Sequence, residues 1–224
     1  MQNNQTLCTT ARCPSATYIW YFKPDETQKP PFNIIRANAR FIKKFALVTP
    51  AEIKPLLGMY DAMYGSDLEN TYESVPRWIV KADIARLLYV LFNGSFYFDT
   101  DCSILKPFEF NTPRMVLFTE AILESTHVLN ERECKDDGVK HRIANYAFGT
   151  NTKHHPFIKD VIEEVIIRVK TLLTEGDISD TDVLWASGPD AITTVYHRTR
   201  QTYPGILVMG QDVLNHTCSG SWRR

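Results

Sequence analysis

The sequence predicts a layered α/β protein, and three observations predict it. Short runs of β-forming residues alternate with helical patterns from Thr17 to Met209, as when helices cover a sheet. Residues 157–173 carry Ile158, Val161, Ile162, Val165, Ile166, Val169, Leu172 and Leu173 on one broad helical face, which reads as sheet cover. Residues 79–92 are apolar on most sides and run through Asn93-Gly94 into the aromatic run Phe96-Tyr97-Phe98, the pattern of a buried helix turning into a buried strand.

No internal repeat, low-complexity tract or linker divides the 224 residues, so a lead-in of residues 1–16 and one domain of residues 17–224 are expected. An apolar content of 44% with 12% aromatics suffices for a core. A formal charge of -1 gives no global attraction to nucleic acid, and no aromatic-plus-basic repeat supplies a local one. Five scattered cysteines (Cys8, Cys13, Cys102, Cys134, Cys218) read as free thiols in a reducing compartment. Polar residues follow Met1 and no apolar run approaches a bilayer span, so neither a secretory signal nor a transmembrane segment is expected, and a cytoplasmic location is.

Taken in order, residues 17–22 form a buried first strand, and the three prolines of residues 23–31 a loop. Residues 33–44 place Ile34, Ile35, Ala37, Phe41 and Ile42 against basic positions, a surface helix. Ala46, Leu47 and Val48 form a short strand. Thr49-Pro50-Ala51-Glu52 is a capping box with proline at the first helical position; Pro55 limits how regular that helix is. Residues 65–76 are a polar loop with a short helix. Lys81, Asp83 and Arg86 interrupt the apolar helix 79–92; Asp83 and Arg86 share a face. An internal salt bridge accounts for that pair, and so does a ligand-facing cleft, because burial of charge is costly even when paired.

Residues 115–119 are a further strand with Glu120 at its end, and residues 141–148 are expected to be helical before a turn at Gly149-Thr150-Asn151. His127 reads as a surface histidine. His154-His155-Pro156 resembles a metal signal, but adjacent side chains seldom share one ion, and Pro156 serves as a helix start. Ser187-Gly188-Pro189-Asp190 opens a helix through Arg198, with Asp190 near its positive end. Residues 206–209 are a last strand and residues 216–224 a tail.

The chemistry concentrates at Asp99-Thr100-Asp101, where the aromatic strand ends. Two carboxylates one residue apart can reach one hard cation, and Mn²⁺ or Mg²⁺ held by oxygens leaves positions for substrate phosphates. His216 is the tail's candidate third ligand, since imidazole suits Mn²⁺ better than Mg²⁺. Ser221 supplies a hydroxyl for phosphate oxygens and Trp222 an aromatic face for a sugar. A docked C-terminal extension explains the same tail without a ligand. No Gly-x-Ser-x-Gly elbow, P-loop or Gly-x-Gly-x-x-Gly fingerprint occurs, which argues against a serine hydrolase, a kinase and a nicotinamide dehydrogenase.

The run Lys81-Ala82-Asp83-Ile84-Ala85-Arg86, Leu88-Tyr89, Asn93-Gly94, Tyr97, Asp99-Thr100-Asp101 resembles the DXD-motif glycosyltransferases. It is most similar to the family of the yeast initiating α-1,6-mannosyltransferase and bacterial capsular sugar transferases, and more distantly to clostridial glucosylating toxins. Tyr18-Ile19-Trp20-Tyr21, Asn145 with Gly149 and His155-Pro156, Ser187-Gly188-Pro189, and His216 with Gly220-Ser221-Trp222 follow that family's order. Similar domains occur in large DNA viruses of algae, where the host cytoplasm would be the setting.

The resemblance implies a GT-A fold, a Rossmann-like mixed sheet flanked by helices, and a nucleotide-sugar donor, UDP favoured over GDP on its frequency among related folds. It implies Mn²⁺ (or Mg²⁺) on Asp101 and Asp99 with His216, donor sugar and ribose on Asp83 and Arg86 beside Lys81, and the base near Trp20 and Tyr21. Ser221 and Trp222 would close over the diphosphate, and a glycan hydroxyl would accept the sugar. Close relatives retain anomeric configuration. An inverting enzyme would need a carboxylate base, for which Glu120 and Asp190 are the candidates. Two departures are Asn93-Gly94 where relatives carry paired glycines, and an end two residues past Trp222, which leaves acceptor contacts unassigned. The rival readings are a non-catalytic nucleotide-sugar or glycan-binding domain on the same fold, and a metal-dependent phosphohydrolase.

Overall fold

The computed structural model describes residues 15–19, 32–108, 114–123 and 141–217. Its elements are β1 (Ala16–Ile19), α1 (Phe32–Asn38), β2 (Phe45–Val48), α2 (Pro50–Tyr64), α3 (Leu68–Ser74), α4 (Trp78–Asn93), β3 (Phe96–Phe98), β4 (Cys102–Ile104), β5 (Met115–Ile122), β6 (His141–Thr150), α5 (Pro156–Glu175), α6 (Asp180–Ala186), α7 (Pro189–Thr199), β7 (Leu207–Met209) and β8 (Leu214–His216).

Among the described residues six strands make the main sheet, in the order β2-β1-β3-β6-β5-β7. β1 is parallel to β2 and β3, and β5 to β7, whereas β6 is antiparallel to β3 and β5. Within this sheet β6 alone runs in reverse, so the carboxyl ends of the other five strands share one edge. Ligands of open α/β sheets bind at that edge.

Alternation along the strands divides the core between the two faces. Tyr97, Leu117 and Phe148 join the cluster built by α2, α4, α5, α6 and α7. Phe96, Phe98, Val116 and Phe118 point to the other face, where Ile35 of α1, Cys102 and Ile104 of β4 and Leu214 of β8 cover them. β4 and β8 form a separate antiparallel ribbon, a pairing the sequence reading of a simple tail did not contain.

The helix ends follow their local chemistry. Glu52 accepts a 2.8 Å hydrogen bond from Thr49 N at the start of α2, Pro50 opens the helix, and it continues through Pro55 to a left-handed Gly65. α4 is buried along most of its length and ends at Gly94 with φ 61°. A side chain there is strained by the backbone and would meet Asn151 O at 3.1 Å. α5 starts at Pro156, and its cap is His155, whose Nδ1 accepts from Phe157 N at 3.3 Å. Capping therefore accounts for the histidine that sequence alone made resemble a ligand.

Two expectations are corrected. Residues 141–148 are not helical but belong to β6, paired on both sides by β3 and β5. Helix α1 stops at Asn38, short of residue 44, because the Asn38 side chain turns inward to bond β4. Strand β1 starts at Ala16, inside the stretch expected to be a lead-in, whose first fourteen residues lie outside the described ones, as do His127 and every cysteine but the buried Cys102. Among the described residues no helix is long and apolar enough to cross a membrane.

Candidate metal centre

Strand β3 is three buried aromatics, and its exit is where polar side chains become affordable. The chain turns there: Cys102 N donates to Asp99 O at 3.0 Å, and β4 begins. On one side β4 pairs with β8 so that Cys102 faces His216, and Thr217 N donates to Asp101 O at 3.4 Å. On the other side Asn38, fully buried, acts as a one-residue strand. Its amide donates to Cys102 O at 2.8 Å and accepts from Ile104 N at 2.9 Å.

This framing brings Asp99, Asp101 and His216 together. One ligand atom from each lies within 4.8 Å of the others. His216 Nε2 is 3.2 Å from Asp101 Oδ1 and 3.6 Å from Asp99 Oδ2, and all three side chains are partly exposed. Burial works against a charged imidazole at His216, but hydrogen bonds to Asp101 and Asp99 and their negative charge outweigh it and push its pKa up to about 10. Two carboxylate oxygens and one imidazole nitrogen at this separation could hold a divalent cation. These are the three residues the sequence put forward as metal ligands.

Behind them lies a buried polar network. Arg86 Nη2 is 2.9 Å from Asp83 Oδ1, and Nη1 is 3.2 Å from Asp99 Oδ1. Nη1 also donates to Asn145 O at 2.8 Å. Asp83 accepts from Asn145 Nδ2 at 3.1 Å and from Ser187 Oγ at 2.7 Å. Tyr97 donates its hydroxyl to Asp99 Oδ1, and Arg86 lies over its ring, 4.7 Å from the centroid. Burial pushes the Asp83 carboxyl up to about 6, against the pull of Arg86 and Ser187. A buried guanidinium held by two carboxylates and a carbonyl is the arrangement that offsets desolvation. Of the two accounts open from sequence, the internal salt bridge is present, with Asp83 and Arg86 both buried and Arg86 next to Asp99.

β6 reaches this network through a break in its ladder. Leu117 faces Phe148, yet Thr119, two residues on, faces Ile143, so residues 144–146 of β6 are extra in the register. Such bulges re-aim side chains. Here the displaced residues deliver the Asn145 contacts just described, and Tyr146 O accepts from Asp99 N at 2.8 Å. The Tyr146 ring stacks on His216, centroids 4.1 Å apart and planes 22° from parallel.

Lys81 is on another part of α4, 3.9 Å from Glu73 and over the Tyr72 ring, and is not brought to the trio. Glu120 lies inside β5 rather than at its end. Asp190, fully buried in the first turn of α7, is 2.9 Å from Arg142 Nη2, and Glu120 is 3.6 Å from Arg142 Nε. Trp20, Tyr21, Ser221 and Trp222 lie outside the described residues. Tyr97, Tyr146 and Asn38 were not singled out by sequence reasoning. Tyr97 stood in the quoted motif, but nothing in the sequence signals that Asn38 or Tyr146 contacts the centre.

The chain is similar to solved glycosyltransferase structures. The PaToxG glycosyltransferase superposes with a TM-score of 0.53 over 87% of this chain and 71% of its own, at 16% identity. The UDP-bound glycosyltransferase domain from the YGT toxin matches at a TM-score of 0.46 and 9% identity, over 75% of this chain and 53% of its own. The bacterial N-acetylglucosamine transferase NleB matches at a TM-score of 0.38 and 12% identity, over 87% of this chain and 94% of its own. No protein-family model and no curated protein matches the sequence. The fold is the GT-A glycosyltransferase fold.

Proposed function

We propose that the protein is a metal-dependent glycosyltransferase that moves a sugar from a nucleotide-sugar donor, UDP-linked in preference to GDP-linked, to a hydroxyl of a glycan acceptor. The observation that carries this reading is the convergence of Asp99, Asp101 and His216 at the carboxyl end of β3 in a GT-A fold. Asp99, Asp101 and His216 would hold a divalent cation, Mn²⁺ in preference to Mg²⁺, which when bound would supply Lewis-acid stabilisation of the departing nucleoside diphosphate.

The chain's own groups do the rest. Arg86 is fixed by Asp83, Asp99 and Asn145 O and holds positive charge beside the centre without reorganising, which is the condition for electrostatic stabilisation. Asp83, oriented by Ser187 and Asn145, is assigned to donor sugar hydroxyls with Arg86. Trp20 and Tyr21, which follow β1 in the sequence, are assigned to the base, and Ser221 and Trp222, which follow β8, to the diphosphate. Glu120 and Asp190 share Arg142; Glu120, the more exposed, is the one assigned as base if the reaction inverts.

Incubation with Mn²⁺ and a panel of UDP- and GDP-sugars, with glycan acceptors and without, tests the reading. Mn²⁺-dependent release of nucleoside diphosphate from a sugar nucleotide supports it. Saturable donor binding with no hydrolysis or transfer supports a binding domain instead, and turnover of sugar-free nucleotides a phosphohydrolase.

A further inference from the structure

We propose that Tyr146 is a positioning residue for the metal centre: its ring, stacked on His216, sets the plane in which the imidazole presents Nε2 to Asp99 and Asp101. The inference rests on the metal reading given above and adds a residue to it.

A histidine that binds a metal usually donates its other ring N–H to a carboxylate or carbonyl, which fixes the ring's orientation. Among the described residues no group supplies that device to His216. Its polar contacts among the described residues are both made by Nε2, at 3.2 Å to Asp101 and 3.6 Å to Asp99, and none holds Nδ1. What holds the ring is a face: Tyr146 lies 4.1 Å away, 22° from parallel. Stacked faces leave the imidazole free to sit in its plane but oppose rotation through the perpendicular orientations, in which Nε2 would leave the carboxylates.

The backbone explains why a tyrosine from a central strand arrives there. Residues 144–146 step out of register between the pairings Leu117 to Phe148 and Thr119 to Ile143, which carries Tyr146 to the sheet edge. Its carbonyl accepts from Asp99 N at 2.8 Å. One residue thus touches two of the three ligands, Asp99 through its backbone and His216 through its ring. The ring contact can be removed by substitution while the backbone contact is left in place.

Mn²⁺ binding followed by electron paramagnetic resonance, with Mg²⁺ as competitor, tests this without any need for turnover. Wild type should bind Mn²⁺ and Asp101→Ala should not, which secures the site. Tyr146→Phe, which keeps the stack, should bind Mn²⁺ within about 2-fold of wild type. Tyr146→Leu should bind it about 10-fold more weakly, in the range for a lost outer contact. Its Mg²⁺ affinity, drawn from the carboxylate oxygens, should change by less than about 2-fold. Tyr146→Leu with wild-type Mn²⁺ affinity overturns the proposal, and so does an equal loss of Mn²⁺ and Mg²⁺, which would report general loosening. A wild type that binds no Mn²⁺, or an Asp101→Ala variant that binds it equally well, overturns the metal reading itself and this inference with it.

Discussion

His216 Nε2 stands 3.2 Å from Asp101 Oδ1, although the two residues come from distant parts of the chain. They meet because β8 pairs with β4 with His216 opposite Cys102, the residue after Asp101. A two-stranded ribbon is marginal by itself. This one is secured from below by the packing of Cys102, Ile104 and Leu214 against Phe98 and Phe118 of the main sheet, and from the side by Asn38.

Asn38→Ala should therefore destabilise the protein by about 3 kcal/mol, since it strands Cys102 O and Ile104 N in a buried setting where each unmet group costs about 1–3 kcal/mol. Urea denaturation measures this. A loss below about 1 kcal/mol would mean that β4 does not depend on the asparagine.

Asp83→Ala should lower stability by about 3 kcal/mol, the lower end of the range for breaking a buried ion pair. The low end is expected because Arg86 keeps Asp99 and Asn145 O when Asp83 is removed. Asp83→Asn, which keeps an acceptor for Ser187, should lose less. Chemical denaturation of the two variants gives the comparison, and a more stable Asp83→Asn than wild type would show that the pair's desolvation exceeds its attraction.

Glu164 lies between Arg168 Nε and Arg198 Nη1, each 2.8 Å away. Burial opposes its charge, but hydrogen bonds from the two guanidiniums prevail and hold its carboxyl below the ordinary value. A lowered folded pKa means the unfolded chain takes up the proton first as pH falls. The stabilisation is complete above the ordinary carboxylate value and is lost as pH falls through the depressed one. Glu164→Gln should flatten the acid limb of a thermal-stability profile while leaving the profile near neutral pH merely lowered; an unchanged acid slope contradicts the assignment.

Much of the centre was legible because its signals are local. Asp99 and Asp101 end an apolar strand, and Asp83 and Arg86 interrupt an apolar helix; each contrast is visible within a few residues. The helix starts at Thr49 to Glu52 and at Pro156 were legible for the same reason. Strand β6 was misread because its bulge disguises its period. With Asn145 and Tyr146 displaced, buried Ile143, Ala144, Ala147 and Phe148 fall at spacings of one, four and five, which imitate one face of a helix. Asn38 and Tyr146 left no local trace, since their roles exist only once β4 and β8 have been brought beside them.

The most direct test of the central claim compares Mn²⁺-dependent release of nucleoside diphosphate from a sugar nucleotide by wild type and by Asp101→Ala, with folding of both checked by circular dichroism. The account predicts a loss of about 100-fold or more in the variant at unchanged fold, in keeping with removal of a group that stabilises the leaving charge. Turnover by Asp101→Ala at the wild-type rate, with the same dependence on Mn²⁺, would contradict it.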